Sequence, residues 1–267
     1  MSDWITASVE EGVASVKLTS TTMPPAFFDA CDATFAELAE RQDVRVVLIF
    51  SEAKAFSYGL DLPAAFKQHG NLFVGGGLAG PRTELLALIR RWQRAFGRLA
   101  EMKVPVIAAV HGACIGGGLD LVSTVDIRIA SEDAYFSLRE AAIGIVADLG
   151  SLQRLPTLIG EGQTRTMAFT AGNISATRAE AIGLVSEVLP DRDALLTRAQ
   201  ELARTIAAHP PLAIQGTKEV LNYGQGKSID DGLGYVAAWN AAFLASEDLA
   251  EAMSAFMAKR KPVFKGR

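Results

Sequence analysis

The sequence predicts an α/β fold that ends in a helical region. Two apolar, β-branched runs, DVRVVLIF at 43–50 and VPVIAAV at 104–110, are typical of strands buried on both faces of a sheet. Segments with helical spacing lie between these runs, and from about residue 150 the pattern is mostly helical. Strand-and-helix units followed by helices indicate an α/β class.

Each element has its own sequence signal. Alternation around Glu11-Gly12 predicts a hairpin, and the leucines and Trp92 recur at helical spacings in a long amphipathic segment. The predicted order is a hairpin (5–18), a helix (25–41), a strand (43–50), a helix (83–102), a strand (104–110), a glycine turn, a short helix starting at LDLVST and a strand (126–130). Helices follow, interrupted by one short strand in LVSEVLP.

Composition excludes several classes of protein. The chain has 267 residues, of which 49% are hydrophobic and 21% charged, as in an ordinary soluble domain. A net charge of -4 predicts neither a nucleic acid nor a membrane surface as a partner. Two cysteines, and a first segment MSDWITASVEEG without the layout of a signal peptide, predict a cytoplasmic protein. The sequence contains no run of eighteen apolar residues, so it predicts no membrane span.

The segment HGACIGGGLDL (111–121) carries the first chemical signal. Three consecutive glycines between a buried strand and a helix leave backbone amides free to bind a negative atom. The spacing fits neither a dinucleotide fingerprint nor a phosphate-binding P-loop. The segment therefore predicts an anion or oxyanion site, and tight strand-to-helix packing is the alternative.

A second loop, KAFSYGLDL (54–62), also leaves a buried strand through a glycine. Gly59 would let the amide of Leu60 point inward, so the two loops could each supply one amide to a single oxygen. Taken alone, this loop is a generic one. The pair of loops is the stronger signal.

KAFSYGLDL, PVIAAVHGACIGGGLDL and FSLREAAIG, in this order, resemble the crotonase superfamily of enoyl-CoA hydratases and isomerases. The resemblance implies a spiral of ββα units over residues 1–205, a helical oligomerisation region over 206–267, and a trimer or a dimer of trimers. It also implies an acyl-CoA thioester substrate and a role in fatty acid metabolism, within β-oxidation. The oxyanion-hole amides would be those of Leu60 and Gly117. The substrate-binding residues would be Lys54, Ser57, Tyr58, Gly59, Leu60, Asp61 and Gly117.

Three acids follow the glycine segment, and each has a structural alternative. Asp120 lies three residues after Gly117, on the same helix face, or it compensates the helix dipole. Glu140 is either catalytic or a surface carboxylate. Asp148 precedes SLQRLPTLIG and could be a helix N-cap, although Ser151 could also serve.

The triple Asp120, Glu140 and Asp148 resembles the Δ3,5-Δ2,4-dienoyl-CoA isomerase branch of the superfamily. A 1,5 proton shift needs a base at C2 and an acid at C6. Glu140 would be the base, and Asp148 would be the acid, with its pKa raised by the apolar neighbours Ile145, Val146 and Leu149. Which of the two acts as base and which as acid stays open at this point.

The main rival is a 2-enoyl-CoA hydratase, because well-known hydratases carry glutamates at the positions of 120 and 140 that hold one water. The other rival is a noncatalytic relative that binds acyl-CoA or RNA, which the acidic balance and 7% aromatic content do not favour. Three scattered histidines without metal-ligand spacing predict no metal, and we expect no redox cofactor.

Overall fold

Two parallel strands at the centre of a six-stranded sheet organise the fold. The computed structural model describes residues 4–74 and 77–267. The sheet order is β1-β2-β3-β4-β6-β9, and all neighbours are parallel except β1 and β2. The nine strands of the described chain are β1 (Ile5–Glu10), β2 (Val13–Leu18), β3 (Val46–Ser51), β4 (Val106–Val110), β5 (Ala113–Ile115), β6 (Ile127–Ser131), β7 (Tyr135–Ser137), β8 (Ile174–Ser175) and β9 (Val188–Leu189).

Eleven α-helices fill the rest of the described chain, which confirms the α/β class. They are α1 (Pro25–Glu40), α2 (Leu62–Phe73), α3 (Ala79–Glu101), α4 (Gly117–Ser123), α5 (Ser151–Ile159), α6 (Glu161–Thr170), α7 (Ala176–Ala181), α8 (Arg192–Ala207), α9 (Pro211–Tyr223), α10 (Ile229–Phe243) and α11 (Glu247–Met257). A 3₁₀ turn covers Glu140–Ile143. None of the helices in this part of the chain is both long and apolar enough to cross a bilayer.

The continuous apolar sequence of β3 reflects burial on both faces. Val47 and Ile49 point into the larger core cluster, whereas Leu48 and Phe50 point to the opposite face and pack with α8. Because alternate strand residues face opposite sides, a sheet covered on both sides needs apolar residues at every position. The prediction of a doubly buried strand is confirmed.

The predicted hairpin is also confirmed. Val9 and Glu10 pair with Ala14 and Val13 across the turn. Glu11 and Gly12 take φ values of 48° and 81°, as a tight two-residue hairpin turn requires.

Other predictions need adjustment. The segment after β4, expected to be only a turn, contains β5, which pairs in parallel with β7 in a second, three-stranded sheet. The long amphipathic helix α3 begins at Ala79, four residues earlier than predicted, and α2 was not predicted. In LVSEVLP, only Val188 and Leu189 form the strand.

The C-terminal helices are more exposed than the rest. Helix α8 packs Ala199 and Ala203 against the sheet, whereas α10 has no buried residue at all. Lys218 on α9 joins this region to the core through an ion pair with Asp126, at 2.7 Å, and a hydrogen bond to the carbonyl of Val104. The boundary at residue 206 stays a prediction.

Candidate active site

The two glycine-containing loops lie side by side. The amide of Ser57 donates to the carbonyl of Ala113 at 2.8 Å, and the amide of Ile115 donates to the carbonyl of Ser57 at 3.0 Å. This short parallel pairing joins the loop after β3 to β5. The fold therefore brings together the two glycine-containing segments, 54–62 and 111–121, that the sequence motifs indicated.

The backbone nitrogens of Leu60 and Gly117 lie close together. A Cβ placed on Gly59, whose φ is +82°, would lie 3.0 Å from the Gly117 nitrogen, and one placed on Gly117 would lie 3.7 Å from the Leu60 nitrogen. Neither amide donates a hydrogen bond to any described residue. Two unpartnered N–H groups this close together can stabilise a developing negative charge when both are directed at it.

The other residues of the first loop divide into structural and exposed ones. The Ser57 hydroxyl accepts from the Gly59 amide at 3.0 Å, and Asp61 caps α2 by accepting from the Ala64 amide at 2.9 Å. Lys54 and Tyr58 are exposed, with the Lys54 Nζ 5.7 Å from the Tyr58 ring centroid. The loop therefore presents a cation and an aromatic ring to solvent, while Ser57 and Asp61 hold its shape.

Asp120 is 1% exposed, and one oxygen of its carboxylate accepts a hydrogen bond. Its Oδ1 accepts the backbone N–H of Ser151, the first residue of α5, at 2.8 Å. Burial raises the pKa of Asp120 to about 6, although the hydrogen bond from the Ser151 amide and the charge of Arg154 act in the opposite direction. Asp120 thus satisfies the start of a helix that has no side-chain cap of its own.

Glu140 opens the 3₁₀ turn after β7 and points toward the glycines. Its Oε1 lies 3.1 Å from the position that a Cβ on Gly116 would take. Its Oε2 is buried and has no hydrogen-bond partner. Burial first, and the charges of Asp120 and Asp148 in addition, raise the pKa of Glu140 to about 7. A carboxyl with this pKa can accept a proton at neutral pH.

Asp148 lies just before α5 but does not cap it. The N-cap residue is Gly150, without a side-chain cap bond, while Gln93 on α3 donates to the backbone carbonyl of Asp148 at 2.6 Å. Burial raises the pKa of Asp148, in the predicted direction. Of the apolar neighbours predicted to cause this shift, Leu149 is buried, whereas Val146 is 75% exposed and Ile145 40% exposed.

Sequence reasoning selected the three acids and both amides, and the structure groups them. Electrostatic interactions link Asp120 with Glu140 and Asp148. The reasoning did not select Gly116, which Glu140 contacts, or Arg154, which acts on Asp120. The only sequence signal for Arg154 is its place in the SLQRLP segment that follows Asp148. In the described ranges, no three His, Cys, Asp or Glu side chains are arranged to hold a metal ion.

Residues 8–267 match the sequence profile of the family described as enoyl-CoA hydratase/isomerase. The chain belongs to the enoyl-CoA hydratase/isomerase family. The crystal structure of an enoyl-CoA hydratase from Bacillus anthracis aligns with a TM-score of 0.88 at 28% identity, covering 98% of this chain and 99% of that chain. The crotonase-like fold predicted from the sequence is therefore confirmed, and the chain is an enzyme of the crotonase superfamily.

Several relatives in this family are named for their reaction. The chain is 40% identical over 242 residues to the mitochondrial Delta(3,5)-Delta(2,4)-dienoyl-CoA isomerase of Dictyostelium discoideum, which covers 90% of this chain and 81% of the relative. It is 41% identical over 238 residues to the peroxisomal enzyme of that name from Arabidopsis thaliana, covering 89% and 86%. A short-chain-enoyl-CoA hydratase of Clostridium acetobutylicum is 39% identical over 168 residues, covering 63% and 64%.

These comparisons correct the expected location. The two dienoyl-CoA isomerases are mitochondrial and peroxisomal proteins, so the prediction of a cytoplasmic protein is wrong. That prediction rested on the cysteine count and on a first segment that lacks the layout of a secretory signal peptide. Import into an organelle depends on short address signals, which leave the composition of a folded domain unchanged.

Proposed function

We propose that this chain converts a 3,5-dienoyl-CoA into a 2,4-dienoyl-CoA. The position of Asp120 supports the proposal most directly. Its carboxylate is buried and accepts the Ser151 amide, so Glu140 and Asp148 are the two acids that stay available for substrate. The relatives named as dienoyl-CoA isomerases match about nine tenths of the chain, which supports the same reaction.

In the proposed reaction, Glu140 removes a proton from C2 of the substrate. The electrons of the broken C2–H bond move into the thioester, and the thioester oxygen becomes negative. The amides of Leu60 and Gly117 would stabilise that oxygen at about 2.7–3.1 Å. Preorganised donors of this kind cost no reorganisation when the charge develops, and losing one typically costs about 3 kcal/mol.

The second step returns a proton at the far end of the diene. Asp148 donates its proton to C6, a C6–H bond forms, and the two double bonds come to rest at C2 and C4. The substrate loses one proton and gains one, so its composition is unchanged. Only protons move, and we therefore expect the reaction to need neither a metal nor a redox cofactor.

The pKa directions support a proton that is held within the pair of Glu140 and Asp148. Burial raises the pKa values of both Glu140 and Asp148, which keeps one of the pair protonated closer to neutral pH than free carboxyls would be. A hydratase would instead need a second acid beside Glu140 to hold the attacking water. Asp120 is the residue at that position, and its engagement by Ser151 favours the isomerase.

The proposal is tested with two isosteric substitutions. Asp148→Asn should lower kcat for a 3,5-dienoyl-CoA by about 10²–10⁴, the usual contribution of a general acid, without lowering the melting temperature, because Asp148 caps no helix. Exchange of the C2 proton with deuterated solvent should survive in this variant. Glu140→Gln should abolish exchange and isomerisation together.

Two outcomes would contradict the proposal. Isomerisation by Asp148→Asn at the parental rate would remove the C6 donor. Loss of thioester-conjugated absorbance when the parental protein meets a 2-enoyl-CoA, without any dienoyl isomerisation, would instead identify a hydratase that uses Asp120 and Glu140.

We also propose that the exposed Lys54 and Tyr58 contact the CoA moiety.

We further propose that helices α9–α11 assemble the chain into a trimer or a dimer of trimers. The assembly is supported by the apolar side chains that are exposed in this region: Leu221, Ile229, Leu233, Phe243, Leu244, Leu249, Met253, Phe256 and Met257. Obligate interfaces are this apolar. Sedimentation equilibrium at micromolar concentration should give three or six chains, and a stable monomer would contradict the proposal.

A further inference from the structure

Arg154 packs against the backbone that carries Asp148. A Cβ on Gly150 would lie 1.9 Å from Nη1 of Arg154 and 3.1 Å from its Cζ, so the guanidinium occupies the space that any larger residue at 150 would need. Gly150 has a φ of +122°, and its carbonyl accepts the backbone amide of Arg154 at 3.1 Å. The arginine and the turn therefore contact each other through both side chain and main chain.

The position is an unfavourable one for a cation. Arg154 lies near the N-terminus of α5, the end of a helix that favours anions. It is half-buried, and its guanidinium forms neither an ion pair nor a side-chain hydrogen bond with any described residue. Burial accordingly lowers its pKa, and the one charge that opposes this effect is that of Asp120. Helix stability gives no reason for an arginine here.

We propose that Arg154 is a positioning residue for proton transfer: through its contact with Gly150 and its charge near Asp120 it supports the turn from Asp148 to Ser151, so that Asp120 holds the Ser151 amide and Asp148 stays beside the substrate. The inference rests on the proposed function, in which Asp148 is the proton donor. It assigns to Arg154 no contact with the substrate.

The charges around Asp120 determine the direction of the effect. The groups that act on it are Ser151 and Arg154 from α5 and Asp148 from the preceding turn, while its own charge acts on Glu140 and on the buried thiol of Cys114. Arg154 is the cation among them. Removing its charge therefore raises the pKa of Asp120, and at slightly acid pH Asp120 loses the charge that holds Ser151.

Loss of the Arg154 charge changes the pKa of Glu140 in the opposite direction from that of Asp120, so the test can distinguish the two groups. Protonation of Asp120 removes a negative neighbour of Glu140 and lowers the pKa of Glu140. Glu140 would then be a base over a wider pH range, so a loss of activity in acid cannot come from Glu140. It must come from the turn that carries Asp148.

The experiment compares Arg154→Gln, Arg154→Lys and the surface control Arg165→Gln. We expect Arg154→Gln to lower kcat by up to about fivefold near pH 6, to shift the acid limb of the kcat profile to higher pH, and to approach parental kcat near pH 8.5. KM should change less than twofold. Arg154→Lys should restore the parental profile because it restores the charge, and Arg165→Gln should match the parent throughout.

A second measurement does not depend on catalysis. The carboxyl carbon of Asp120, followed by NMR in protein labelled with ¹³C-aspartate and assigned by its absence in Asp120→Asn, should titrate at higher pH in Arg154→Gln than in the parent. If the parental protein isomerises no dienoyl-CoA, the proposed function fails while this titration still tests the charge effect of Arg154. An unshifted Asp120 titration, or a loss of kcat that is equal at every pH and is not restored by lysine, would overturn the inference.

Discussion

Gly59→Ala should disable the oxyanion hole while leaving the chain folded. Gly59 has a φ of +82°, and an alanine Cβ there would lie 2.8 Å from the carbonyl oxygen of Ile115 and 3.0 Å from the nitrogen of Gly117. Carbon-to-oxygen contacts are normally about 3.3–3.6 Å. The two loops must therefore separate by roughly half an ångström or more, at the place where the Leu60 and Gly117 nitrogens lie close together.

The size of the effect follows from the narrow range over which such donors act. An amide must lie at about 2.7–3.1 Å from the charged oxygen, so a displacement of half an ångström removes one donor from that range. The loss of one donor typically lowers kcat by about 10²–10³. The left-handed backbone adds about 1–2 kcal/mol of destabilisation, which a domain of this size tolerates.

Two glycine-to-alanine controls separate strain from contact. Gly160 has a nearly equal φ of +79° but no atom within 4 Å of an added Cβ, so Gly160→Ala carries the strain alone. Gly162→Ala, inside α6 and also in open space, carries neither. We expect both Gly59→Ala and Gly160→Ala to lose stability in urea denaturation, Gly59→Ala by more because it adds the close contacts, and only Gly59→Ala to lose kcat in the absorbance assay of dienoyl isomerisation. If Gly59→Ala keeps kcat within about threefold of Gly160→Ala, the oxyanion-hole assignment is wrong.

Three further predictions concern stability. Because burial raises the pKa of Glu140 to about 7 from an ordinary 4.5, its contribution to stability is lost as pH rises through 7, so Glu140→Gln should raise the melting temperature at pH 8 and leave it nearly unchanged at pH 5. Lys218→Met removes an ion pair with the exposed Asp126, which keeps its hydrogen bond from the Val106 amide, and removes a hydrogen bond to the Val104 carbonyl, so it should cost about 1 kcal/mol in urea denaturation, whereas an equal stability would show the pair to be dispensable. Gly216→Ala would place a Cβ 2.3 Å from Nε1 of Trp239, so it should displace α10 and change tryptophan fluorescence; an unchanged spectrum would contradict this packing.

Local patterns predicted the sheet and the site loops well, for a physical reason. The apolar run of β3 is required by burial on both faces, and the positive φ values at Glu11 and Gly12 are required by a two-residue turn. Gly59 and Gly117 likewise mark places where backbone meets backbone closely. Features that depend on the dihedral preferences or the burial of a short segment can be predicted from the residues of that segment.

The features that were missed depend on distant contacts. Asp148 was expected as a possible cap of α5, but Asp120, 31 residues before Ser151, accepts the first amide of that helix. No local pattern links these positions, since an aspartate near the start of α4 also has a local explanation in the helix dipole. Arg154 was missed because its unusual feature, a cation packed on Gly150, exists only once the turn has folded.

The arrangement of the three acids also bears on how the enzyme would recover after each turnover. In the proposed reaction, Glu140 ends protonated and Asp148 ends ionised, the reverse of their starting states, so a proton must return from one to the other. That return is easy only if the two groups bind protons with similar affinity, because each unit of difference in pKa costs about 1.4 kcal/mol. Burial raises the pKa values of both, and the negative charges near Glu140 favour a state in which Glu140 and Asp148 together keep one proton. Asp120, turned to Ser151, adds its charge to this balance without competing for substrate. The shorter acid at position 120 thus suits a proton shift between two sites better than it suits the holding of a water.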